Sequence, residues 1–154
     1  MSKILIASDH AGFALKEKLK AYLRKKGIAI EDLGTYSKAR CDYPFYAYKL
    51  AKIISLGQSK RGILICKSGV GNSIVANRLP RVRAALCHCV RIAKLSREHN
   101  DSNVLVLGSA FVNADLAKKI VLAWLATKFL GGRHSRRVKL INQIDKKIHI
   151  DTRR

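Results

Sequence analysis

The stretch that most constrains this chain is Gly62-Ile63-Leu64-Ile65-Cys66-Lys67-Ser68-Gly69-Val70-Gly71-Asn72-Ser73. The apolar run up to Cys66 reads as a strand buried on both faces. Two glycines interrupt it, and Ser73-Ile74-Val75-Ala76-Asn77-Arg78 then resumes a pattern compatible with a helix. A strand feeding a glycine-rich turn that opens a helix is suited to holding an anion. Backbone N–H groups converge there, and the helix N-terminus adds partial positive charge. A thiol, Cys66, and a hydroxyl, Ser68, stand at the rim.

Spacing excludes two familiar versions of such a loop. A P-loop ends in Gly-Lys-Ser/Thr, whereas Asn72-Ser73 follows the last glycine here. A dinucleotide fingerprint requires a small residue where Ile74 stands, and follows the first strand rather than a middle one. An inert buried cysteine at a plain strand–helix turn is the competing reading.

The remaining chain alternates strands and helices. Residues 3–8 form a short buried strand with a turn at Asp9-His10-Ala11-Gly12. Residues 13–26 place Leu15, Leu19, Tyr22 and Leu23 on one helical stripe, with Lys16, Lys18, Lys20 and Lys25 expected to face solvent. Gly27 is the expected cap. A second strand is expected at 28–30, a polar loop at 33–42 and a helix at 45–56. Further strands are expected at 82–87 and 103–107, with a helix at 90–98 between them. A long helix runs from the N-cap Asn113 to about Phe129. The segment 135–154 reads as a basic amphipathic helix and tail, with Val138, Ile141 and Ile144 on one side and a neighbouring surface as its expected cover. The pattern predicts a single α/β domain over 1–154: a three-layer, Rossmann-like parallel five-stranded sheet with helices on both faces and a C-terminal helix. Function in such folds gathers at the carboxyl ends of the strands.

Several motifs, in order, carry a resemblance to the ribose-5-phosphate isomerase B family, which includes the galactose-6-phosphate isomerase subunits. They are Ser8-Asp9-His10-Ala11-Gly12, Asp42-Tyr43-Pro44, Cys66-Lys67-Ser68-Gly69-Val70-Gly71, Ser96-Arg97-Glu98-His99-Asn100-Asp101 and Gly131-Gly132-Arg133-His134. The resemblance implies an aldose–ketose sugar-phosphate isomerase, acting on ribose 5-phosphate and ribulose 5-phosphate in the pentose phosphate pathway. Another aldose phosphate, such as allose or galactose 6-phosphate, is the alternative within the class. The implied base is the thiolate of Cys66, with Ser68 as its helper and His99 as the group that opens the furanose ring. A thiolate requires a value below the ordinary thiol range, which a helix N-terminus and cations can provide. Substrate contacts are implied for Asp9, His10, Tyr43, Lys67, Asn100, Arg133 and Arg137. The backbone from Gly69 through Val70, Gly71 and Asn72 to Ser73 would meet the enediolate. No cofactor and no metal are implied, and the partner is a second copy, in a homodimer or dimer of dimers with a shared site.

Two positions depart from the family pattern. Lys67 stands where glycine is common, and Ala110 stands where an arginine often meets the phosphate.

Charge and cysteine content leave other classes to weigh. Thirty-one Lys and Arg against ten Asp and Glu give +21, a field that attracts anions from sugar phosphates to RNA. These charges are spread over helix faces without interleaved aromatics, which argues against nucleic acid as the partner. A basic nucleic-acid-binding protein on an inactive isomerase fold is the alternative from another class. No apolar run approaches the ~18 residues of a membrane span. The cysteines at 41, 66, 87 and 89 lack C-x-x-C spacing, and Cys87-His88-Cys89 has no second ligand cluster for zinc. Packed thiols of Cys87 and Cys89 on one strand face, and a reducing cytoplasmic setting, are the expectations.

Overall fold

The computed structural model describes residues 3–151. Five strands, β1 (Ile4–Ser8), β2 (Ile30–Asp32), β3 (Gly62–Cys66), β4 (Ala84–Leu86) and β5 (Val104–Gly108), form one sheet in the order β2-β1-β3-β5-β4. Every pairing is parallel. The helices are α1 (Phe13–Lys25), α2 (Tyr43–Ser55), α3 (Val70–Ala76), α4 (Val90–Asn100), α5 (Ala114–Ala126) and α6 (Arg133–Asp151). Among the described residues no helix is long and apolar enough to cross a membrane.

The pleat sorts the strand side chains into two cores. Ile6, Ile63, Ile65, Leu105 and Leu107 face Leu19 and Leu23 of α1, Ala93 of α4, and Ile120 and Trp124 of α5. The alternate residues Leu5, Ala7, Leu64, Val104 and Val106 face Ala47, Leu50 and Ile54 of α2 and Ala76 of α3. Strands β1, β3 and β5 are buried along their whole length, because both faces are covered. The chain leaves β1 for β2 on one side and later enters β3 on the other. The loops after β1 and β3 therefore flank the point where the strand order reverses, and a crevice opens there.

Several boundaries differ from the sequence expectation for local reasons. Residues 27 and 28 close α1, with the Gly27 and Ile28 N–H groups donating to Arg24 and Leu23 carbonyls, so β2 begins at Ile30. Helix α2 starts at Tyr43 because Pro44 fits a first helical turn, where no N–H is needed. Helix α3 starts at Val70, directly after Gly69, and so takes Gly71 and Asn72 into its first turn. Strand β4 is confined to 84–86. Cys89 therefore lies beyond the strand, at the start of α4 and half-buried, while Cys87 is fully buried with its thiol pushed up to about 11 by burial. All four cysteines are free. Asn113 caps α5, its Oδ1 accepting from the Leu116 N–H at 2.9 Å. Helix α5 ends at Ala126, short of Phe129, and α6 begins at Arg133 rather than 135. Val138 is buried, but Ile141 and Ile144 are exposed, and residues 152–154 of the expected tail lie outside the described residues.

Lys16 overturns the expectation that the α1 lysines face solvent. It is 0% exposed, with Nζ 2.6 and 2.7 Å from the two Asp32 carboxylate oxygens and 2.7 Å from the Thr35 carbonyl. Burial alone would raise the Asp32 carboxyl, but hydrogen bonds from Lys16, Lys20 and the Gly34 N–H hold it below its ordinary value. The Lys16–Asp32 pair fastens the 32–35 segment to the end of β1, where Thr35 N–H donates to the Ser8 carbonyl. Lys16→Met is expected to cost about 3 kcal/mol, because Asp32 and the Thr35 carbonyl lose a buried donor and only Lys20 and the Gly34 N–H remain for the carboxylate. Urea unfolding at fixed protein concentration checks this. A depressed carboxyl stabilises the fold above its unfolded value near pH 4, and that contribution fades as pH falls through the folded value. The Lys16→Met deficit should therefore shrink on acidification.

Candidate active site

The crevice at the carboxyl ends of β1 and β3 holds a cleft of about 390 Å³ lined by Asp9, Tyr43, Cys66, Lys67, Ser68 and Gly71, among others. Asp9 is buried, and its Oδ1 accepts the Gly12 N–H at 2.9 Å, which fixes the turn after β1. His10 is anchored through Nδ1, which lies 3.1 Å from the Cys41 carbonyl and 3.2 Å from the Cys41 N–H. One tautomer donates to the first and the other accepts from the second. Tyr43, at the start of α2, packs so closely on α3 that a Cβ at Gly71 would come within 2.4 Å of its ring.

Cys66 ends β3. The Gly69 N–H donates to its Sγ at 3.2 Å. Gly69 itself adopts φ +80°, and a Cβ there would lie 2.4 Å from Leu86, so only glycine serves this turn. Burial pushes the Cys66 thiol up, the backbone N–H groups of Gly69, Asn72 and Ser68 pull it down, and the Asp9 carboxylate opposes them. In the single chain the balance is upward, contrary to the depressed thiol expected from sequence, since α3 is one short helix and the thiol is buried. The N–H groups of the loop are also divided. Val70 donates to Ser68 Oγ at 3.3 Å and Ser73 to the Gly69 carbonyl, so those of Ser68, Gly69 and Asn72 are the ones that bear on the thiol. Asn72 is buried, with Oδ1 lacking a protein partner. Lys67 is exposed at the mouth of the cleft, and its carbonyl accepts the Ala110 N–H at 3.0 Å. The two departures from the family pattern are thus adjacent.

His99, Asn100, Arg133 and Arg137 lie elsewhere. His99 and Asn100 end α4, and the Asn100 carbonyl accepts from Arg83 Nε at 2.9 Å, just before β4 begins. The Glu98 carbonyl accepts the Leu130 N–H, which leads α6 to the same place, and the His134 ring stacks on His99. Arg133 and Arg137 are exposed on the first turns of α6. This second group sits at the amino ends of the strands. The first sits at their carboxyl ends, where Cys66 pairs with Gly108 rather than with Val104. Five-residue strands put the two edges on the order of 13 Å apart. One chain therefore holds the expected site residues as two separate groups and does not bring them together.

The ribose/galactose isomerase family profile matches residues 4–141. The chain belongs to the ribose/galactose isomerase family. It is 46% identical over 147 residues to ribose-5-phosphate isomerase B of Escherichia coli, covering 96% of this chain and 99% of that one. Among solved structures, ribose-5-phosphate isomerase B of Clostridium thermocellum superposes with a TM-score of 0.92 at 46% identity, covering 95% of this chain and 99% of the other. The Mycoplasma genitalium enzyme, solved with bound ribulose-5-phosphate, gives 0.89 at 40% identity over 94% and 96% of the two chains. The family and the fold expected from the sequence are both borne out. Among the described residues there is no group of three or more His, Cys, Asp or Glu that could hold a metal ion.

Proposed function

We propose that this sugar-phosphate isomerase interconverts ribose 5-phosphate and ribulose 5-phosphate, through an enediol formed by proton transfer at Cys66, as a single cytoplasmic domain of the pentose phosphate pathway. The observation that carries the reading is the pairing of a buried, amide-cradled thiol with a separate imidazole–arginine cluster. Aldose–ketose isomerisation needs a base at the carbon, donors for the developing oxyanion, a ring-opening acid–base group and a grip on phosphate. Cys66 would take the proton, with Ser68 and the loop N–H groups stabilising thiolate and then enediolate. His99 would open the ring, Asp9 and Asn100 would hold hydroxyls, and His10, Arg133 and Arg137 would hold the phosphate, since a guanidinium fork matches its geometry.

These groups can meet one substrate only if a second copy presents the carboxyl-end half-site of one chain to the amino-end half-site of the other. Val70 and Ile74, at the rim of the thiol cleft, are 51% and 54% exposed. Large apolar side chains left open together beside a cleft mark a surface that a partner can cover. A homodimer with two shared sites is the assembly this implies, and the arginines of the second copy would supply cations that favour the thiolate. Turnover of a panel of pentose and hexose phosphates by the purified protein tests the reading. Activity on a hexose 6-phosphate alone would move the substrate within the class. Activity on none would leave a binding protein on an inactive isomerase fold.

Ala110 yields a separate expectation. Introducing a guanidinium beside the Lys67 carbonyl, by Ala110→Arg, is expected to lower KM about threefold to tenfold with little change in kcat, the signature of binding ground and transition states alike. An unchanged or raised KM in steady-state kinetics would mean another cation, with Lys67 the nearest candidate, already serves the phosphate.

A further inference from the structure

Outside the groups assigned above, the amino-end half-site contains one more imidazole. His134 is 6% exposed, in the first turn of α6, with its backbone N–H donating to the Gly131 carbonyl at 3.0 Å. Its ring lies against the His99 ring with centroids 4.2 Å apart and planes inclined by 8°. The approach is set by the backbone. Gly131 and Gly132 both take positive φ, +68° and +53°, and the Glu98 carbonyl accepts the Leu130 N–H, so the connection from α5 is tied to the end of α4, turns sharply into α6 and delivers His134 onto His99.

We propose that His134 is the positioning residue for His99, holding its ring in the plane from which it reaches the sugar in the opposing half-site. This rests on the reading of His99 as the ring-opening group. His99 ends a helix and is only half-buried, so on its own its ring would be free to turn about the Cα–Cβ and Cβ–Cγ bonds. A flat, buried neighbour removes that freedom on one face and leaves the nitrogen-bearing edge available. Charge explains why an imidazole suits the place. Burial first, and then His99, Arg133 and Arg137, hold His134 below the ordinary imidazole range. The charged groups facing it are thus His99 from α4 and the two arginines from its own helix. A neutral ring backs His99 without adding a fixed third cation to that cluster, which a lysine or arginine would do.

The test compares His134→Ala with His134→Phe, which keeps a flat ring and removes the nitrogens. It uses ribose 5-phosphate and erythrose 4-phosphate, an aldose that cannot close a furanose because its O4 carries the phosphate. On ribose 5-phosphate the alanine variant is expected to lose about tenfold in kcat with KM within about twofold, a loss of alignment rather than of binding. On erythrose 4-phosphate it should match the wild type, and the phenylalanine variant should recover most of the ribose 5-phosphate loss. The His99 Cε1–H resonance, assigned by its absence in His99→Asn, should be displaced by ring current in the wild type and in His134→Phe and return toward the free value in His134→Ala. Equal loss on both sugars, no loss in the alanine variant, or a phenylalanine variant no better than alanine would overturn the proposal. A wild-type protein inactive on both sugars would instead sink the isomerase reading. The His99 resonance would then decide by itself whether His134 holds that ring.

Discussion

Cys66→Ala is expected to lower turnover of ribose 5-phosphate about a hundredfold or more while KM stays within a few-fold, because the substitution removes the base and leaves the phosphate contacts in place. The side chain is small and its Sγ meets backbone N–H groups of the loop, that of Gly69 at 3.2 Å, so the loop keeps its glycine-dictated turn without it. The pH dependence adds a second readout. Burial and Asp9 keep the thiol above its ordinary value in the single chain. In protein diluted to monomers, alkylation of Cys66 by iodoacetamide should therefore accelerate only on the alkaline side. In the assembled enzyme, with the second copy's arginines nearby, the same titration should move to lower pH. Wild-type turnover in Cys66→Ala would mean that the base is elsewhere, and Asp9, buried in the same cleft, would be the first candidate.

Much of this architecture was legible because the information is local. Apart from Ser8 at the end of β1, strands β1, β3 and β5 carry no polar side chain on either face, as a doubly covered sheet requires, and Asn113 announces α5 through its own side chain. Two of the misreadings share a cause, a partner distant in sequence. Lys16 falls on the polar stripe of α1, and nothing near it signals Asp32, sixteen residues on, or the Thr35 carbonyl. Gly71 reads as loop, yet it lies in the first turn of α3, and what calls for glycine there is the Tyr43 ring standing where a side chain would be. The sequence pattern puts the second strand two residues early, since Ile28 looks like strand, whereas its N–H closes α1 by donating to the Leu23 carbonyl. The residues of both half-sites could be named from motifs, but their separation to opposite edges follows only from the parallel sheet. His134 carries no local sign of its contact with His99, 35 positions earlier; a stack between two helix ends appears only once the Gly131-Gly132 turn is built.

That separation makes the assembly testable by complementation. In a hybrid of a Cys66→Ala chain with a His99→Asn chain, one shared site lacks both groups and the other lacks neither. Each variant alone is expected to be impaired on ring-closed substrate, the first without the base and the second without the ring-opening group. Co-folding the two should restore about half the wild-type activity per hybrid dimer, and about a quarter in an equal mixture where half the dimers are hybrids, because a two-fold assembly has two equivalent shared sites. Steady-state turnover of the refolded mixture, against each variant refolded alone, measures this directly. The size of the gain is informative, since aggregation or uneven pairing lowers it in proportion to the hybrid fraction, which native mass spectrometry counts. If Cys66 and His99 served one chain's site, every site in the mixture would lack one group or the other, and the mixture would gain nothing over its parts. The half-sites would then have to meet by movement within one chain, across a sheet whose two edges the register of β3 and β5 holds apart.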